Sequence, residues 1–276
     1  MTTDIRQNLK IHHCILKMAT PPIIQIHKPL VSIIMPMHNS AKYVGEAIQS
    51  VINQTYSNWE LLVVDDSSTD DSINIVKEYI QSDHRIHLFF NTVHLGMPSA
   101  PRNIGAEHTK GRFIAFLDSD DCWLPKKLEE QIPLFSDSSV AIVYSNYEKI
   151  SEDGKRTGRI IIAPSQINYA NMLYGNIIGN LTGVYDKEKV GTLHIPNVHH
   201  EDYAMWLSIL KKGFIGKNTN VTHALYRVTN SSVSSNKLRI LSWQWDIYRK
   251  TEKLSLIKSI YYYIHYAINA YRKNRI

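Results

Sequence analysis

Cysteine is scarce in this 276-residue chain. Its two, Cys14 and Cys122, lie far apart, which excludes a disulfide framework and fits a reducing compartment. No apolar run approaches the roughly 20 residues that cross a bilayer. Residues 1–28 lack the layout of a signal peptide, because Lys17 and prolines interrupt their apolar positions. Met18 lies close upstream of the first strand, so residues 1–17 are expected to be a loose extension or the product of an early start codon. The N-x-S/T sequons at Asn53, Asn180, Asn220 and Asn230 read as chance matches in that setting. Glycine-rich phosphate signatures are also missing. Without G-x-G-x-x-G or G-x-x-x-x-G-K-[ST], neither an NAD Rossmann enzyme nor a P-loop NTPase is expected. His200-Glu201 could open a zincin motif, but Ala204 stands where the second His is needed, and there is no G-x-S-x-G elbow.

What is present is ordinary in bulk and uneven in charge. Hydrophobic residues make up 43% and charged residues 20%, as in folded soluble proteins, and the length allows one sizeable core or a domain with an appendage. From Asn236 onward nine Lys/Arg face two acids, +7, so of the total +6 the preceding 235 residues carry −1. The body is near neutral and the tail is basic.

Apolar runs alternate with amphipathic segments. Strands are expected at 30–36, 60–64, 86–90, 113–117 and 140–144, and helices at 41–53, 73–80 and 99–109. That alternation predicts an α/β fold, a doubly wound and mainly parallel sheet with helices on both faces. Ligands in such sheets bind beyond the carboxyl ends of the strands. Phe113-Ile114-Ala115-Phe116-Leu117 runs straight into Asp118, Asp120 and Asp121. Carboxylates that close repel one another unless a cation lies between them, and hard oxygen ligands suit Mg²⁺ or Mn²⁺. An acid at a strand-to-helix turn could equally cap the helix expected around 124–128. Asp65-Asp66 ends the second strand on the same edge, and two acidic clusters there are hard to explain as two independent caps. The functional reading moves ahead.

Several stretches resemble, in order and in register, the family 2 glycosyltransferases of GT-A fold. They are Val31-Ser32-Ile33-Ile34-Met35-Pro36-Met37-His38-Asn39, Ala47 to Tyr56, Val63-Val64-Asp65-Asp66-Ser67-Ser68-Thr69-Asp70, Ala100-Pro101-Arg102-Asn103-Ile104-Gly105, the 111–121 stretch, and His200-Glu201-Asp202-Tyr203. The likeness spans about residues 30–230. It implies inverting transfer of a sugar from a nucleotide-diphosphate donor, UDP-linked by family habit. Under it, Pro36, His38 and Asp66 line the nucleoside pocket, and Arg102 also falls on the donor side. Asp118 and Asp120 form the D-x-D that bridges donor ribose and metal-bound diphosphate. Asp120 or Asp121 touches the metal, and Asp202 is the catalytic base, with a helix N-cap as the plainer role for that residue. Arg227, in a closing loop over 226–234, either meets the diphosphate or is a surface arginine. His38 stands where Tyr is commoner, and Pro101 where Ala is. His199 and His200 are read as loop residues.

The resemblance divides the chain into an extension (1–28), a nucleotide-sugar half (29–150), an acceptor half with the base (151–235) and a C-terminal helical region (236–276). Asp153-Gly154 marks a hairpin turn, and the polar, aromatic 151–199 segment is expected to wall the acceptor. In the tail, Leu256, Ile257, Ile260, Tyr261, Ile264, Ala267, Ile268 and Tyr271 recur at helical spacing, with Lys253, Lys258, His265, Asn269, Arg272 and Lys273 largely between them. Such a helix either lies on an anionic membrane or packs on the body. Family habit implies a lipid-linked glycan acceptor in surface polysaccharide (O-antigen or capsule) synthesis, and a cytoplasmic protein at the inner face of the membrane. A sugar-nucleotide nucleotidyltransferase would want a basic, glycine-rich loop where Pro36-Met37-His38-Asn39-Ser40 stands. A nucleic-acid-binding protein would use the basic tail, but acidic clusters at the sheet edge repel phosphates, so no nucleic-acid partner is expected.

Overall fold

The structure, a computed structural model, describes residues 28–92, 96, 99–229 and 237–273. Nearly all of the N-terminal extension, and the closing loop beyond Thr229, lie outside the described residues. The first part of the chain alternates as β1 (Val31–Met37), α1 (Val44–Ile52), β2 (Trp59–Asp65), α2 (Ser72–Ser82), β3 (Ile86–Phe90), α3 (Ser99–His108) and β4 (Phe113–Phe116). Then come β5 (Cys122–Trp123), α4 (Lys127–Gln131), β6 (Val140–Ile150), β7 (Arg156–Ile161), β8 (Gln166–Ile167) and α5 (Tyr169–Met172). β9 (Val184–Asp186), α6 (Lys187–Val190), α7 (Glu201–Leu210), β10 (Ile215–Arg227), α8 (Lys237–Asp246) and α9 (Leu256–Lys273) complete the order.

Apolar runs without polar interruption become strands buried on both faces. Alternate residues of one strand therefore serve two cores. Ile33, Leu61 and Ala115 face α1, where Val44, Ala47, Ile48 and Val51 are buried. Ile34, Leu62, Ile114 and Phe116 face α7, with Trp206 and Leu207. Helix α3 lies so close to β1 that a Cβ on Gly105 would meet Ile34 Cγ2 at 2.5 Å. That contact fixes α3, and Arg102 with it, over the carboxyl end of the sheet.

Among the described residues all ten strands join one sheet, in the order β3-β2-β1-β4-β9-β6-β10-β5, with β7 on β6 and β8 on β10. The first four are parallel, as expected. The 151–199 segment does more than wall the acceptor, because β9 runs antiparallel in mid-sheet between β4 and β6. Ala115 near the end of β4 pairs with Val184 at the start of β9. Residues just before Val184 are thereby brought to the edge where Asp118 leaves β4. The halves divided at 150 thus share one sheet. β6 and β7 form the hairpin signalled by Asp153-Gly154, with Gly154 at φ +81°.

Candidate active site

The carboxyl ends of β1 and β2 are laced together by their own loops. Asp66 N donates to Met37 O at 2.7 Å, and His38 Nδ1–H donates to the Asp66 carbonyl, also at 2.7 Å. Asn91 Nδ2 donates to Asp66 Oδ1 at 2.6 Å. Asn39 and Ser67 hold left-handed conformations, allowing Asn39 Oδ1 to accept from Thr69 N while Ser68 Oγ accepts from Asn39 N. Pro36 sits half-buried at the end of β1 opposite Val64. The structure thus brings together the three residues expected at the nucleoside pocket. Capping work in this region falls to Asp70, which accepts from Ala41 N and Ser72 N.

The next acidic cluster is not a helix cap. Asp121 N donates to Asp118 O at 3.0 Å, closing a turn, and β5 follows it. α4 begins later, with Lys126 at its N-cap and no side-chain cap. Ser119 Oγ lies 2.7 Å from Ser40 Oγ, tying this turn to the loop that carries His38. Burial, then the charge of Asp118, pushes the Asp120 carboxyl up to about 6. Burial and the charges of Asp120 and Asp118 push Asp121 well above the usual carboxylate range. Crowded acids that resist ionisation are what a divalent cation relieves, so the carboxylates present fit one. Among the described residues no group of three or more His, Cys, Asp or Glu is arranged to hold a metal. Substrate phosphate oxygens would have to complete such a site.

Asp120 and Asp121 differ in setting. Asp121 is 1% exposed and its Oδ1 accepts from Arg227 N at 2.9 Å. Asp120 is half-buried, and its backbone carbonyl accepts from Arg227 Nε at 2.8 Å. Arg227 is no surface arginine: it is 3% exposed. Nη2 donates to Glu46 Oε2 at 2.6 Å, Nη1 to the Glu152 carbonyl at 3.0 Å, and the guanidinium lies over the Tyr43 ring. Each of its nitrogens has a protein partner, so a diphosphate contact would first require these bonds to break.

Arg102 is buried and joins two parts of the site. Its Nη2 donates to Asp118 Oδ1 at 2.6 Å, and Nη1 bonds Glu201 Oε1. The charges of Asp118 and Glu201 overcome burial and hold Arg102 protonated. Its Nε has no partner. Beside Glu201, Asp202 lies in the first turn of α7, whose N-cap is His200 in a left-handed conformation, so Asp202 is not the cap. Its Oδ2 accepts from Asn176 Nδ2 at 2.8 Å. Burial raises the Asp202 carboxyl, opposed by Arg102 and by the bond from Asn176. His199 and His200 pack on Trp243 of α8, His199 stacked at 4.2 Å. They are thus held by the C-terminal region rather than loose. Glu201 carried a sequence signal through its place beside Asp202. Asn176 and Glu46 carried none, since their roles depend on partners remote in sequence.

With this geometry in place, similarity to known proteins is informative. Residues 32–192 match the family described as glycosyl transferase family 2. The chain is 39% identical over 247 residues to a putative teichuronic acid biosynthesis glycosyltransferase, TuaG, of Bacillus subtilis, spanning 89% of this chain and 98% of that one. It is 42% identical over 246 residues to the Escherichia coli UDP-Glc:alpha-D-GlcNAc-diphosphoundecaprenol beta-1,3-glucosyltransferase WfgD, spanning 89% and 95%. A mannosyltransferase from Pyrobaculum calidifontis, solved with GDP-Man and Mn²⁺, shares the fold at a TM-score of 0.64 and 19% identity, over 83% of this chain and 66% of that one.

Proposed function

The chain belongs to glycosyltransferase family 2, and on that premise we propose that it moves a sugar, with inversion, from a UDP-sugar to a lipid-linked glycan acceptor in surface-polysaccharide synthesis. Pro36, His38 and Asp66 hold the nucleoside. The acceptor hydroxyl oxygen attacks the anomeric carbon as the bond from that carbon to the diphosphate oxygen breaks. Asp202 takes the hydroxyl proton, and the nucleoside diphosphate leaves. Asp120, with Asp118 beside it, would hold Mg²⁺ or Mn²⁺, whose chemistry here is to neutralise charge gathering on the departing diphosphate. Enclosed Asp121 and Arg227 hold that acidic turn in place rather than meeting the donor.

The observation that carries this reading is Arg102, bonded at once to Asp118 on the donor side and to Glu201 beside the base. It makes the D-x-D turn and the start of α7 one site. Support for the acceptor class comes from WfgD, named for a diphosphoundecaprenol-linked sugar, and support for the polysaccharide setting from TuaG, named for teichuronic acid biosynthesis. A lipid-linked acceptor calls for a protein peripheral to the inner face of the cell membrane. Among the described residues no helix is long and apolar enough to cross one. Family membership replaces the nucleotidyltransferase reading.

A thermal-shift panel of nucleotide sugars with and without Mn²⁺ tests the proposal. Stabilisation by a UDP-sugar only when the metal is present is expected, since a ligand that binds the folded state raises its melting temperature. No response to any nucleotide sugar would overturn the donor assignment.

A further inference from the structure

Helix α9 is amphipathic twice over. Ser259 is fully buried, and Tyr266 reaches Gly175, where a Cβ would meet its ring at 3.1 Å. Tyr262 packs edge-on to Tyr174 at 5.1 Å and against Tyr248, and Tyr263 meets Trp245. This face fixes the helix to the body. A helix turns about 100° per residue, which places Ile257, Ile264 and Ile268 together on the opposite side. They are 82%, 52% and 43% exposed, with Ile260 at 45% and Leu256 at 54% beside them. No element of the described structure covers this stripe. A monomer that leaves so many large aliphatic side chains in a row to water has a use for them.

We propose that this stripe is a docking face for an anionic lipid surface, on which α9 lies parallel to the membrane. Charge selects that occupant. Exposed Lys253 lies just before the helix and exposed Lys258 in its first turn, and the chain from Asn236 onward carries +7. A second copy bearing the same basic segment would be repelled, whereas anionic headgroups attract it and the isoleucines enter the acyl boundary. The placement also serves the site. The inner face of α9 rests on Tyr174 and Gly175, and the next residue, Asn176, donates to Asp202. The lipid surface and the residue that holds the base therefore lie on two sides of one packed layer. The inference stands on exposure and charge and requires no step of the transfer reaction.

The test is flotation of the full chain with vesicles of phosphatidylcholine alone and of phosphatidylcholine mixed with phosphatidylglycerol. Binding to the anionic vesicles that weakens with added salt is expected. The double substitution Ile257→Ser with Ile264→Ser should cut that binding about tenfold or more, since both side chains lose their apolar contact. Both positions are exposed, so the variant should keep its melting temperature and its donor-induced shift. Equal flotation of variant and wild type, or no binding to anionic vesicles, would overturn the proposal. A self-associated species that the substitution dissolves, without vesicle binding, would instead give the face to a second copy and overturn it. Donor stabilisation is scored separately, so failure here leaves the donor assignment standing, and the reverse holds.

Discussion

Arg102 and Asp118 meet at 2.6 Å between Nη2 and Oδ1, while the other end of the same guanidinium bonds Glu201. The arginine is 7% exposed and Asp118 is about a third exposed. One buried cation thereby sets the distance between the acidic turn after β4 and the first turn of α7. Planar, forked donors suit such a bridge, and a lysine ammonium cannot span both carboxylates in that way.

Arg102→Ala should be destabilising by about 3–5 kcal/mol, because it strands two acids around a buried cation site. Arg102→Lys keeps the charge and should lose less stability, yet transfer should still fall by about 100-fold through misplacement of the two halves. Thermal melting and single-turnover rates separate the two effects. A lysine variant with normal turnover would show that charge alone suffices.

Asp202→Asn preserves the shape of the first turn of α7 but removes the carboxylate proposed to accept the proton. Donor-induced stabilisation should persist, while kcat falls by about 10²–10⁴-fold, the range of general-base catalysis. Near-normal turnover would remove Asp202 as the base.

The strands of the first half could be read from the chain because their burial is written locally, as in Leu61-Leu62-Val63-Val64. That Asp202 opens a helix was legible from the loop before it and the apolar Met205-Trp206-Leu207 after it. β9 was not: Val184-Tyr185-Asp186 is short and ends in an acid, and its mid-sheet place depends on β4 and β6, both remote in sequence. β6 runs on to Ile150 through buried Ser145, Asn146 and Glu148, a polar stretch that no apolar pattern marks. Arg227 stood open between a diphosphate contact and a surface arginine because burial of a guanidinium depends on its partners, and Glu46 lies 181 positions away. Local pattern reports an element, whereas the satisfaction of a buried charge is a tertiary property.

Asn176 bonds the carboxylate proposed as the base. Its amide donates to the Asp202 carboxylate and favours the charged form, against burial, which favours the neutral one. Asn176→Ala removes the favourable contribution, so the carboxyl should protonate at higher pH than in the wild type. Catalysis requires the ionised base, and the acidic limb of the kcat profile should therefore move to higher pH with the plateau largely retained. A plateau that drops with no shift of the limb would give Asn176 a role in acceptor contact instead.

Asp120 and Asp121 are adjacent in sequence but should separate cleanly by substitution. Asp121 is enclosed and accepts the Arg227 backbone N–H, so Asp121→Ala leaves a buried donor unpaired, at a cost of about 1–3 kcal/mol. Its melting temperature should fall, while the increment given by donor plus Mn²⁺ is largely kept at temperatures where the fold holds. Asp120 contributes only its backbone carbonyl to the Arg227 contact, which alanine retains. Asp120→Ala also removes one member of a crowded acidic cluster whose carboxyls burial and mutual repulsion hold high. Without cation, Asp120→Ala should therefore be as stable as the wild type or more so, yet lose the metal-dependent part of the donor shift. The pair of melting curves, each with and without Mn²⁺ and UDP-sugar, decides the assignment. If Asp121→Ala loses the metal-dependent shift and Asp120→Ala keeps it, the two residues exchange roles.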